Sequence, residues 1–282
     1  MEKNNNTQDF KIYLISEGIE KKENITIIQS AIIGSRGWGY DDEDSDIDLR
    51  FFYVRPLNEY ININRKNDTI TYPINDGNDI QGFDLGRALK FICSQNPIIY
   101  EIINSPYQCL DNYYVNLIKK FSDEVFVPEQ MIKKYYFIIK DEIKKIGTNS
   151  SNNVKSYIFI LRMIATINYI RKYRKYPTCS IEFLFENDAN EHLKKIVYKL
   201  IYLKKNGKKT IPYSEDYIKL FNNELSKIDI DSYKDNTIDY SEFEAKANGL
   251  LYEIILSLDK ENVINQINSV PKDNGGEMII WI

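Results

Sequence analysis

The sequence predicts an α+β protein in which a mixed sheet with flanking helices is followed by an all-helical C-terminal domain. Two strand patterns support the sheet. Residues 25–33 form an apolar run that leads into a glycine-rich turn, and residues 46–54 alternate between two faces. Beyond about residue 110 the spacing becomes helical almost throughout. We therefore predict an α/β domain over 1–110 and a helical domain over 111–282.

The elements of the first domain follow from apolar spacing and from turn residues. Asn96 followed by Pro97 is typical of a helix start, because asparagine caps and proline suits the first helical position. The other predicted elements are a helix over 8–23, strands over 25–33, 46–54 and 79–85, a strand and hairpin over 58–73, and a helix over 86–95.

The second domain is predicted to contain helices separated by turn residues. The breaks lie at Gly147, Pro177 and Gly207 and in an acidic stretch after residue 228. The predicted helices cover residues 129–146, 153–174, 180–186, 190–206, 214–228 and 240–258.

Composition excludes several classes of protein. The 282 residues carry a net charge of −4, and no apolar run approaches the length that a bilayer requires. The three cysteines lie far apart, which argues against a zinc site or a disulfide scaffold. A single histidine, His192, leaves little room for chemistry that depends on a histidine base. We expect a cytoplasmic protein with no membrane partner.

The charge is distributed unevenly along the chain. Residues 131–210 hold 18 basic and 6 acidic side chains, a net charge of +12, whereas residues 1–110 are acidic with a net charge of −6. A basic segment of this kind suits a polyanion such as RNA. Solvated faces of lysine-rich helices are the alternative, and on the charge alone they are favoured.

Three features of the N-terminal half point to phosphoryl-type transfer. Asp46 and Asp48 lie two apart on a strand, so both carboxylates project from one face. Such a pair can bind Mg²⁺ together with substrate phosphates. The Gly34-Ser35 turn offers backbone N–H groups and a hydroxyl to phosphates, and Asp84 on a later strand supplies a third carboxylate. The order of these features favours a metal site over a merely solvated acidic loop.

These motifs resemble the polymerase-β nucleotidyltransferase superfamily. Gly34-Ser35, a ten-residue spacer and Asp46-Ile47-Asp48-Leu49 match its signature. Longer matches resemble one family within it, the predicted nucleotidyltransferases named for an RNA-repair-pathway polymerase β; they are Gly34 to Gly39, Asp44 to Pro56, Gly82 to Leu89, Gln95 to Pro97, and Val154 to Arg162. The resemblance implies a polymerase-β-like nucleotidyltransferase fold for the first domain.

The resemblance also implies roles for individual residues. Gly34 and Ser35 would hold the triphosphate of an NTP. Asp46 and Asp48 would bind two Mg²⁺ ions, with Mn²⁺ as an alternative, and Asp84 would bind the ion that activates the acceptor hydroxyl.

Four basic residues are further candidates for nucleotide binding. Arg36 lies in the turn, and Arg50 shares the carboxylate face, where it is equally suited to a phosphate contact or to an ion pair with Asp48. Lys155 and Arg162 are seven apart and share one face of a predicted helix, from which they would contact phosphates or an RNA backbone. A solvated cationic stripe is the alternative.

The sequence thus predicts a Mg²⁺-dependent enzyme that transfers a nucleoside monophosphate from an NTP to a hydroxyl. The resemblance implies that the acceptor is an RNA end and that the pathway is RNA repair. Two alternatives stay open. The acceptor is a protein side chain, as in nucleotidyltransferases that modify a partner toxin, or the protein is a nucleotide- or RNA-binding module without turnover.

Overall fold

A computed structural model describes residues 16–75, 78–147, 151–187, 190–233 and 240–269 of the chain. Its centre is a four-stranded mixed sheet formed by β1 (Thr26–Ile33), β2 (Ile47–Val54), β3 (Thr69–Asn75) and β4 (Asn78–Asp84). The strand order is β1-β2-β4-β3, with β2 and β4 parallel and the other two pairs antiparallel. The predicted α+β fold with a mixed sheet is therefore confirmed.

Helices cover one face of this sheet and continue into the C-terminal half. In chain order they are α1 (Gly34–Trp38), α2 (Leu57–Tyr60), α3 (Leu85–Cys93), α4 (Pro97–Ile103), α5 (Tyr113–Glu124), α6 (Pro128–Gly147), α7 (Val154–Tyr173), α8 (Ile181–Asn187), α9 (Glu191–Lys205), α10 (Glu215–Ser226) and α11 (Tyr240–Ser269). A helical stretch over 16–23 precedes β1, and the earlier part of the helix predicted over 8–23 lies outside the described residues.

Most predicted elements are present, but the structure also contains elements that the sequence did not predict. The glycine-rich turn is wound into the short helix α1. Helix α5 was not predicted, since it begins with two tyrosines and a valine; the Asn112 side chain starts it by accepting a hydrogen bond from the Val115 N–H. A small sheet of β5 (Ser151–Asn153) and β6 (Thr210–Pro212) joins distant loops, so local sequence does not reveal it.

Alternation along β2 decides what each face of the sheet does. Phe52 and Val54 point to the side that the helices cover, whereas Phe51 and Tyr53 point to a smaller cluster on the other side. Asp48 shares the parity of Phe52, so its carboxylate lies between the sheet and the helices.

One hydrophobic core connects the sheet to the C-terminal helices. It contains Ile28 and Leu89 from the first half together with Ile160, Leu200 and Ile254 from the second. Helix α11 packs against α3, which brings the end of the described chain back to the sheet. The helical region is thus well placed to form the second wall of a site on the sheet. Among the described residues no helix is both long enough and apolar enough to cross a membrane.

Candidate active site between the sheet and the helices

The turn after β1 is shaped around a carboxylate. Gly34 has a φ of +67°, and a Cβ built on it would lie 1.8 Å from Oδ2 of Asp48. Only glycine fits there, because a side chain would be strained by the backbone and would collide with Asp48. Ser35 follows and is largely buried while still lining the adjacent cavity. The turn and the aspartate therefore form one unit.

Asp46 and Asp48 both line the same cavity, as their spacing predicted. Asp46 is exposed, and Asp48 is partly buried. Burial raises the pKa of Asp48 to about 6; Arg50 opposes that rise, and the charges of Asp79 and Asp46 add to it. The site thus carries excess negative charge that a cation would relieve.

A third carboxylate on the same face is Asp79, which sequence reasoning missed. In the parallel register Asp79 lies directly opposite Asp48. Its Oδ2 accepts a 2.7 Å hydrogen bond from Nη2 of Arg50, whose Nη1 also donates to the Asp79 carbonyl. Arg50 therefore forms an internal ion pair, but its partner is Asp79 and not Asp48. Alternation along the strand predicted over 79–85 places Asp79 on one face, but the sequence does not show that this strand pairs with β2.

Asp84 does not lie with the other carboxylates, so the expectation that it completes the metal site is not met. Asp84 pairs with Tyr53 of β2. It lies five residues after Asp79 on β4, which corresponds to about 16 Å along the strand. Because side chains on a strand alternate between its two faces, a separation of five residues also places Asp84 on the opposite face from Asp79. Its carboxylate caps α3 through the Gly86 N–H at 2.9 Å and accepts a 2.8 Å hydrogen bond from the Tyr60 hydroxyl. Burial raises the pKa of Asp84.

Two of the basic candidates, Arg36 and Lys155, have different surroundings. Arg36 donates to the carbonyls of Ser45 and Asp46, at 2.6 Å from Nη2 to the first and 3.2 Å from Nε to the second. Arg36 therefore holds the loop before β2 in place. Lys155, near the start of α7, is exposed and lines the cavity, where it is available to an anion.

Arg162 is not on a surface stripe with Lys155, and this corrects the sequence-based expectation. It is fully buried and forms a 2.6 Å ion pair with Glu101. Its guanidinium carbon lies 3.9 Å from the ring centre of Trp38, so Arg162 supports the turn from below. Two helical turns along α7 lead from the rim of the cavity into the core, and sequence spacing alone does not show that change in depth.

The cavity has a volume of about 610 Å³, within the usual range for small-molecule sites. The sheet and the turn form one wall, and α4, α6 and α7 form the other. The apolar part of the lining includes Ile33, Trp38, Pro97, Ile98, Ile138, Phe159 and Met163. Polar groups on the helical side are Glu101, Tyr135, Glu142 and Lys155.

The donor set suits a hard cation that arrives with its substrate. Within the described ranges no three histidine, cysteine or acidic side chains are grouped closely enough to hold a metal by themselves. Two aspartates, with the third still paired to Arg50, match a Mg²⁺ site in which phosphate oxygens and water supply the remaining ligands.

A known protein family matches most of this chain. Residues 14–251 match the RNA repair pathway DNA polymerase beta family. The chain belongs to this family. It is also 29% identical over 191 residues to the uncharacterized protein YcgL of Bacillus subtilis (strain 168), an alignment that covers 67% of this chain and 74% of that protein. The family's name points to a polymerase-β-type nucleotidyltransferase in an RNA repair pathway, in line with the predicted family.

Proposed function

We propose that this member of the family is a Mg²⁺-dependent nucleotidyltransferase that moves a nucleoside monophosphate from an NTP to a hydroxyl at an RNA end and releases pyrophosphate. The observation that carries the proposal is that Asp46 and Asp48 face a cavity of about 610 Å³ directly beside the Gly34-Ser35 turn. The RNA-repair name of the family supports the acceptor class.

The triphosphate end of the nucleotide belongs at the turn. Gly34 lets the backbone approach closely, and the Ser35 hydroxyl lies at the cavity wall. Lys155 stands on the opposite wall and supplies a positive charge within the same cavity. Arg36 acts indirectly, because its guanidinium holds the backbone of Ser45 and Asp46.

Asp46 and Asp48 would hold Mg²⁺, with Asp79 as the third carboxylate in place of Asp84. Two bound ions would neutralise charge on the phosphates and lower the pKa of the acceptor hydroxyl. Asp79 takes part most fully if Arg50 exchanges this carboxylate for a phosphate oxygen, which a guanidinium also binds. Arg50 thereby becomes a phosphate contact only when the substrate is present.

The nucleoside end fits the helical side of the cavity. Trp38 and Phe159 lie 6.0 Å apart between ring centres, and Met163 and Ile138 add further apolar surface. A base placed there stacks on aromatic and thioether groups.

The acceptor is assigned to the basic segment 131–210. Of its 18 basic side chains only Arg162 and Lys204 are buried, so the others reach the surface of the described helices. Contacts from these charges to an RNA backbone carry no base information and depend strongly on salt.

The proposal is tested by supplying each labelled NTP with Mg²⁺ to the full chain in the presence of short RNAs or of total protein. We expect label on RNA, pyrophosphate release, and neither with Asp48→Asn. RNA affinity should fall steeply between about 50 and 200 mM salt, by roughly 10³-fold or more if six or more phosphates are contacted. Label on protein would favour a protein acceptor, and absence of label with retained nucleotide binding would favour a binding module.

A further inference from the structure

Lys204 is a buried lysine that reaches from the C-terminal half into the loop before β2. It lies at the end of α9, and its side chain is 3% exposed. Its Nζ lies 2.7 Å from Oδ2 of Asp42 and 3.1 Å from Oγ of Ser45. Its ammonium also lies 5.5 Å from the ring centre of Tyr40. The Lys204 ammonium is therefore paired and hydrogen-bonded within the protein.

The loop that Lys204 contacts is tied together by short-range hydrogen bonds. The Ser45 hydroxyl donates to Oδ1 of Asp42 at 2.5 Å and accepts from the Asp42 N–H at 3.0 Å. The Ser45 N–H donates to the Asp42 carbonyl at 3.1 Å. Burial opposes ionisation of Asp42, but the hydrogen bonds from Lys204 and Ser45 prevail and hold its pKa below the usual value.

This loop leads directly to the carboxylates of the candidate site. The residue after Ser45 is Asp46, and Arg36 donates hydrogen bonds to the carbonyls of both. The loop is thus held both by Arg36 of α1 and by Lys204 of α9. A shift of this loop moves the carboxylate of Asp46 directly.

A neighbouring ion pair provides an internal comparison. Lys209 lies 3.0 Å from Asp44 of the same loop, but both side chains are more than two thirds exposed. An exposed pair contributes little, whereas a buried lysine without its partner is costly. Of these two links between the helical half and the loop, only the one through Lys204 can fix a geometry.

We infer that Lys204 is a positioning residue: through Asp42 and Ser45 it holds the loop so that Asp46 and Asp48 present their carboxylates to a common cation. The helical C-terminal half thereby controls metal affinity at a site formed by the sheet. This inference rests on the proposed function, because it requires that the two aspartates bind a divalent ion.

The test is Mn²⁺ binding to the full chain together with a non-hydrolysable NTP, because phosphate oxygens supply part of the metal's ligands. It is measured by calorimetry at a temperature where each variant is folded. We expect Lys204→Met to weaken Mn²⁺ binding about tenfold or more, as is found when partners of metal ligands are removed. The matched control Lys209→Met should change it less than about twofold.

A second variant covers the case in which Lys204→Met does not fold. Asp42→Asn removes the same ion pair from the loop side and should weaken Mn²⁺ binding to a similar degree. If the variants that fold lose thermal stability but bind Mn²⁺ as the wild type does, Lys204 is only a structural residue and the inference is overturned. If the wild type itself does not bind Mn²⁺ together with the nucleotide, the proposed function fails and the inference fails with it.

Discussion

Asp79 lies directly opposite Asp48 in the parallel register of β2 and β4, and Arg50 holds it there through a 2.7 Å ion pair. Two carboxylates on one face, with a guanidinium beside them, form a site that can accept cations and phosphates together. The same register carries Asp84 away to the far end of the strand and to its other face.

The first prediction separates the two candidates for the third carboxylate. Asp79→Asn should reduce transfer at least tenfold, because it removes a ligand next to Asp48. Asp84→Asn should leave transfer within about twofold, since asparagine also caps helices. The measurement is labelled-NTP transfer to RNA by both variants at equal folded concentration. The reverse pattern would return the role to Asp84.

The second prediction concerns Gly34. Gly34→Ala should abolish nucleotide binding, because the new Cβ would meet the Asp48 carboxylate. Gly39→Ala is the matched control: its φ is +84°, and a Cβ at this position would meet no atom within 4 Å, so the change carries only the backbone cost of about 1 kcal/mol. Titration of a non-hydrolysable NTP into both variants compares them. Equal affinities would show that the Gly34–Asp48 contact is unimportant.

The third prediction is a pH dependence of stability in the metal-free protein. Burial raises the pKa of Asp48 from 3.8 to about 6, so the folded state holds this proton more tightly than the unfolded state. The contribution of Asp48 to stability therefore falls as the pH rises from about 4 to about 6. Asp48→Asn should remove this dependence and be more stable above pH 6 by about 1 kcal/mol, after allowance for solvent screening.

Urea unfolding in EDTA at several pH values, for wild type and Asp48→Asn, measures that difference. A variant less stable than the wild type at pH 7 would contradict the conclusion that burial of the charged Asp48 carboxylate destabilises the protein.

The fourth prediction distinguishes Arg162 from Lys155 on the same helix. Arg162→Met breaks a buried ion pair with Glu101 and should cost about 3–5 kcal/mol of unfolding free energy. Lys155→Met changes an exposed side chain and should cost less than about 0.5 kcal/mol while weakening nucleotide binding. Thermal melts and NTP titrations of the two variants provide the comparison. Comparable stability losses would mean that the two residues share one environment.

Local sequence patterns determined much of this protein. Apolar alternation gave the parity of β2 and so the shared face of Asp46 and Asp48, because side chains on a strand alternate whatever the strand packs against. Helical spacing gave most of the C-terminal helices, and the glycine at position 34 indicated a close backbone approach.

Tertiary structure decided the rest, because it depends on which residues meet across the chain. Strand register placed Asp79 beside Asp48 and kept Asp84 away from the candidate site. No local sequence pattern contains the register between separate strands. Packing depth buried Arg162 under the turn, although its spacing from Lys155 predicted a shared surface. Lys204 lies in a helix that contains several lysines, and the sequence alone does not distinguish it from the others. Only the docking of α9 on the loop before β2 selects this one to pair with Asp42.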